Sequence, residues 1–324
     1  MESGCGKIGG ISNVSISAEG GKSQTYTIRN DWNSSIGDIR NVALRAVGTN
    51  ATAIYNEDSI GNLSSVRISA EGSNKVYGVD LTYGVLGNVS DSTISVSGGN
   101  DTIGIFAYYS DLGELSNVNI SAKGNGYAAG ILFLESNAVV TLKNSSFISA
   151  SSLSGSAYSI ANESGSLTLE GDSTTHTLDG NIYTDGKLVF NGNFKLQNAS
   201  IEAVEGVSVS GASTLSWYGG LSVSGGDVVL EDGAVLNVYF EEVLSLDEYM
   251  VLESDGTIAL GEIQLNVYDN SGALLEDWTY ELRNGGSGGQ IWITSAIPEP
   301  SECAALFAVL ALGLAACRKF RRKF

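Results

Sequence analysis

The sequence predicts an all-β fold: a right-handed parallel β-helix with a β-rich C-terminal cap, then a single C-terminal transmembrane helix. Three observations predict the solenoid. A thirteen-residue unit beginning at Ile8 returns at Ile36, Ile60, Leu86 and Leu112, with a degenerate copy near Val139, at intervals of 28, 24, 26, 26 and about 27 residues. A period of that length marks stacked supersecondary units, none of which can bury its apolar face alone. Within each unit apolar and polar residues alternate, as in Val66-Arg67-Ile68-Ser69-Ala70, the period-two pattern of strands with one buried face. Glycine supplies 41 of the 324 residues and proline only 2, so turns are plentiful while the proline-rich composition of disordered chains is missing.

Taken in order, residues 1–7 are a lead-in. Met1 to Lys7 holds no apolar stretch of the kind a secretory signal needs, so the natural protein is expected to begin upstream of Met1. Residues 8–165 carry the repeats of about 26 residues. A second apolar set follows each terminal glycine (Ala53-Ile54-Tyr55, Val76-Tyr77-Gly78-Val79, Ile103-Gly104-Ile105-Phe106), which gives two or three short strands per turn and no helical period. The leucine and asparagine spacing of a leucine-rich repeat is missing. Coils stack about 4.8 Å apart, so roughly nine coils would make a rod on the order of 45 Å long. The sixth position of each unit is small and polar: Asn13, Asn41, Ser65, Asp91 and Asn117, with Asn144 in the degenerate copy. Such residues are expected to form ladders at coil corners, their side-chain oxygens accepting from turn amides.

Over residues 166–234 the period shortens to strand-then-turn units: Leu167-Thr-Leu-Glu-Gly, Leu188-Val-Phe-Asn-Gly, Val207-Ser-Val-Ser-Gly and Leu221-Ser-Val-Ser-Gly. These read as further coils with tighter corners. Residues 235–296 are richer in aromatics (Tyr239, Phe240, Tyr249, Tyr268, Trp278, Tyr280, Trp292). The end of a β-helix exposes unpaired strand edges that need a cover, so this segment is expected to be a β-rich cap. Aromatic clusters also stack on sugars, the second role open to it.

Charge and chemistry narrow the function classes. The net charge is −19, and the C-terminal tail holds five cations and two acids, so residues 1–296 carry −22. That field repels nucleic acid and anionic lipid and suits a soluble surface or cation binding. Cys5 is the only cysteine before the tail, so the body can form no internal disulfide. His176 is the only histidine; Asp179 nearby suggests a Ser-His-Asp arrangement, but a lone histidine on a repeat protein is expected at the surface. There is no HExxH, CxxC, P-loop or GxSxG motif, and no metal or cofactor is expected. Gly98-Gly99-Asn100-Asp101 has the look of a calcium nonapeptide fragment but does not iterate.

Residues 297–324 end the chain in three parts. Pro298-Glu299-Pro300 contains both prolines and stays extended. Residues 303–317 are uncharged and apolar on every face, a helix of roughly 22 Å set against a hydrocarbon core of about 30 Å. The basic tail, 318–324, carries Arg318, Lys319, Arg321, Arg322 and Lys323, and holds that end on the cytoplasmic side. Snorkelling of Arg318 and Lys319 closes part of the length gap.

This tail resembles the PEP-CTERM sorting signal of bacterial proteins. The likeness covers about 9% of the chain and all three parts stand in order at its end. The resemblance implies an exosortase as partner, a membrane enzyme proposed to cut at the motif and pass the protein to the surface. It also implies membrane lipid around the helix, inner-membrane transit, and residence at the cell surface or in the extracellular matrix. The glycine-ended units across residues 8–240 are similar to autotransporter passenger repeats. The expected function is that of a cell-envelope protein, structural or adhesive and without catalysis, whose outer partner is extracellular polysaccharide. The alternative is an envelope polysaccharide-active enzyme, a lyase or glycosidase, which would gather three or more acids or bases over adjacent coils.

Overall fold

The computed structural model describes residues 2–3, 6–135, 137–241, 248–276, 278–285 and 288–295. Over them the chain is an all-β parallel solenoid of about 10 turns, with no helix among the described residues. Pro298, Glu299 and Pro300, expected to form a sorting motif, lie outside the described residues, as do the apolar run and the basic cluster.

The sequence repeat is the structural register. Ile36 pairs in parallel with Ile8 on one side and Ile60 on the other; Leu86 pairs with Ile60 and Leu112. Each unit therefore makes one circuit and stacks its copy of a residue on the previous copy. The uneven repeat lengths are absorbed at corners. Asn30 pairs with Asn56 before the corner and Ile36 with Ile60 after it, so the extra residues bulge outward at Trp32, which is 60% exposed.

Three sheets form the walls. One has 13 strands, eleven of them running in parallel from Glu2–Ser3 and Gln24–Asn30 through Asn50–Asn56 and Lys75–Thr82 to Glu248–Ser254. A second has 20 strands and bends round a corner of the coil. The third is a narrow stack of five two-residue strands, from Lys7–Ile8 to Asp111–Leu112. Inward side chains form columns of like residues. Ile68, Ile94, Ile120 and Ile148 are stacked in register, all fully buried. Burying such a side chain contributes about 1.5–3 kcal/mol, and the contribution repeats at every rung.

The corner residues explain the polar positions of the repeat. Asn13, Asn41, Ser65, Asp91, Asn117 and Asn144 all have φ between 50° and 56°. This is the left-handed region, where short polar side chains are tolerated best after glycine. Their side chains do form ladders: Asn41 donates to Asn13 at 2.7 Å and Asn117 to Asp91 at 2.8 Å. The expected capping of turn amides is corrected for three of these six, because backbone carbonyls of the next coil take the amides of Ser65, Asp91 and Asn117. Amide capping by side chains occurs three positions earlier. The amides of Asn62, Asn88 and Glu114 donate to the side-chain oxygens of Asp38, Asn62 and Asn88 at 2.9, 2.9 and 3.0 Å. The glycine before this row is required by close approach: a Cβ on Gly37 would lie 2.1 Å from the Gly9 carbonyl oxygen.

Within residues 235–296 the parallel ladder first continues, as Val235–Tyr239 pairs with Gln264–Tyr268. An antiparallel hairpin, Trp278–Gly285 and Gly288–Ser295, then lies along Glu248–Ser254 and covers that edge of the 13-stranded sheet. Tyr249 packs between Phe240 and Trp278, at 5.3 and 5.9 Å, under the same end.

Candidate functional site

The expectation that His176 sits at the surface is overturned: its side chain is fully buried. Just after the left-handed corners of four successive coils stand the buried side chains of Val66, Ser92, Val118 and Ser146. His176 is the next member of that column, since its neighbour Thr177 pairs with Phe147. Ser92 and Ser146 accept the amides of Val66 and Val118 at 3.0 and 3.2 Å, and His176 Nδ1 accepts the amide of Ser146 at 3.2 Å. Nε2 therefore holds the proton and faces Asp172 Oδ1 at 3.2 Å. Burial pushes the imidazole pKa down, against the opposing pull of Asp172. Bonds from the Thr174 hydroxyl and the Asn144 amide hold Asp172 far below the usual carboxylate range. Asp179 is not part of this set; it accepts from Asn198 at 2.9 Å.

An acidic and aromatic cluster occupies the outer side of the 13-stranded sheet over three adjacent coils. The Arg29 guanidinium lies 5.4 Å from the Tyr26 ring and 5.7 Å from the Tyr55 ring, and bonds Asp31 at 2.7 Å. The Tyr55 hydroxyl donates to Glu57. Asp80, paired in register with Tyr55, is only 9% exposed and accepts from the Thr82 hydroxyl at 3.0 Å. Burial, opposed by that hydrogen bond, pushes its pKa up to about 6. Glu135, just past the end of the strand Tyr127–Leu134, is pushed up to about 7 by burial and by Asp111.

A concave site lies elsewhere, on the flank of the shorter coils. It is a cleft of about 460 Å³ lined by Thr175, Asn193, Phe194, Lys195, Thr214, Ser216, Asn237 and Tyr239. Strand alternation builds it: Lys195, Ser216 and Asn237 are successive rungs of one outward column. Asn266 donates to Asn237 at 2.8 Å and Asn237 to Ser216 at 3.3 Å, a polar ladder along the floor. Two positions on, Tyr218, Tyr239 and Tyr268 form a second column, with centroids 5.4 and 4.5 Å apart and the last pair nearly parallel. Lys195 ties the columns together. Its ammonium donates to the Tyr218 hydroxyl at 2.9 Å and stands 4.8 Å from that ring's centroid.

The aromatic segment of the sequence thus divides by role: Phe240, Tyr249 and Trp278 close the end, while Tyr239 and Tyr268 face outward beside the cleft. Sequence reasoning missed Lys195, because its partners lie one and two coils away and no local motif joins them. Among the described residues no group of three or more His, Cys, Asp or Glu side chains could hold a metal ion, and no helix is long and apolar enough to cross a membrane. The chain matches no protein-family model, no curated protein and no solved structure.

Proposed function

We propose that this is a bacterial cell-envelope protein: a right-handed β-solenoid exported and sorted by its C-terminal signal, with a structural or adhesive role and no catalysis. The observation that carries the reading is the tail, where Pro298-Glu299-Pro300, the apolar run 303–317 and the cluster Arg318 to Lys323 follow one another at the end of the chain. The apolar run forms a membrane helix during transit, and an exosortase processes the motif. The body supports the role: a rod of stacked coils with an acidic surface stays soluble and presents long flanks to extracellular polysaccharide. Replacing Pro298 and Pro300 by alanine is expected to leave the protein at the inner membrane. Unchanged surface release of that variant would overturn the sorting assignment.

A second reading, a glycan-active envelope enzyme, draws on the Asp31, Glu57 and Asp80 cluster, where three acids stand over adjacent coils and one has a raised pKa. Against it, Asp80 is nearly inaccessible. This reading requires release of new reducing or unsaturated ends from polysaccharide, abolished by Asp80→Asn.

A further inference from the structure

The cleft beside Lys195 is a polar, aromatic-walled site on a strongly acidic molecule. Its eight lining residues include one cation and no carboxylate, whereas the chain as a whole carries −19. A surface patch made only to stay soluble on such a chain would carry acids, as the flanks elsewhere do. The volume, about 460 Å³, is that of a small-molecule cleft.

Each wall selects a chemical feature. The Tyr218, Tyr239 and Tyr268 rings stack on one another over two coil steps, about 10 Å, and offer a row of ring edges and hydroxyls against which the C–H groups and hydroxyls of consecutive sugars can pack. The floor of Ser216 and Asn237, with Asn193 and Thr214 beside it, offers hydroxyl and amide groups that can both donate and accept, as sugar hydroxyls require. Lys195 uses one donor on Tyr218 and has others for an anion. A neutral sugar would leave that ammonium without its strongest partner, and a plain hydrocarbon would leave the floor unmatched.

We propose that this cleft binds an anionic saccharide, with its sugar rings packed along the edges of the tyrosine column and one acidic group at Lys195. The acidic group is a carboxylate, as in a uronate, or a sulfate; both present the same chemistry to the ammonium. The inference does not rest on the sorting assignment and holds wherever the protein resides.

The test is calorimetric titration of the full chain in detergent micelles with uronate trisaccharides (galacturonate, mannuronate and glucuronate), a sulfated galactose trisaccharide, and their neutral counterparts, carboxyl-reduced for the uronates and desulfated for the galactose sugar. At least one acidic arm is expected to bind about tenfold or more tightly than its neutral counterpart. Lys195→Gln, a flank substitution outside the core, is expected to erase that preference, and Lys195→Arg to retain it. Tyr239→Ala is expected to weaken both arms. Whichever acidic arm binds identifies the source. Equal affinity for acidic and neutral arms, no binding in any arm, or an acidic preference that survives Lys195→Gln would overturn the proposal.

Discussion

His176 Nδ1 accepts the backbone N–H of Ser146 from one coil below, at 3.2 Å. The only histidine of the chain thus does the work that serine hydroxyls do in the coils before it. His176→Ala is expected to leave that buried amide without a partner and open a cavity, destabilising the protein by about 2–5 kcal/mol in urea unfolding. His176→Ser restores an acceptor and should recover part of the loss.

The same residue sets a pH response. The folded pKa lies below the unfolded value of about 6.5, so the unfolded chain binds a proton first as pH falls. The stability due to His176 is present above about pH 6.5 and declines below it. Urea midpoints of wild type and His176→Ser, followed from pH 7.5 to 5, should converge as pH drops; parallel curves would count against the buried neutral imidazole.

Asp80 has the opposite sign. Its folded pKa, about 6, exceeds the unfolded value near 3.8. Ionisation therefore costs more in the folded state, and stability falls as pH rises from about 4 to 6. Asp80→Asn should stabilise the protein at pH 7 by roughly 2–3 kcal/mol and have little effect at pH 4. Thermal melts at the two pH values check both halves.

Asn117 separates corner strain from ladder bonding. Its φ is 52° and its side-chain amide donates to the Asp91 carboxylate at 2.8 Å. Asn117→Ala puts a Cβ without polar compensation into the left-handed region and should cost about 1–2 kcal/mol. Asn117→Gly removes the same exposed bond but relieves the backbone, so its loss should be well under that in the same unfolding assay.

Ile120 tests the column. It stacks between Ile94 and Ile148, fully buried. Ile120→Ala is expected to cost about 2–5 kcal/mol, with hydrogen exchange rising most in the two neighbouring coils, because each coil leans on its neighbours.

Much of this architecture was legible in the sequence. Ile8, Ile36, Ile60, Leu86 and Leu112 mark the register because identical circuits must place like on like, and the copies show it directly. The corner row was visible as small polar residues, although its cause is the left-handed backbone more than amide capping. His176 was misplaced because the column it joins holds valine and serine, and nothing local marks a histidine as their substitute. The Lys195 cleft was illegible for a related reason: Lys195 and Tyr218 are 23 residues apart and meet only once the coil period of that segment is known.

The central claim concerns where this rod ends up, and the mature C-terminus reports it most directly. Mass spectrometry of the protein recovered from the envelope and surface fractions of its host should find chains ending at or near Pro298 to Ser301, with peptides from 303–324 absent. Full-length chains in the cytosol, carrying an intact Arg318 to Phe324 end, would contradict it.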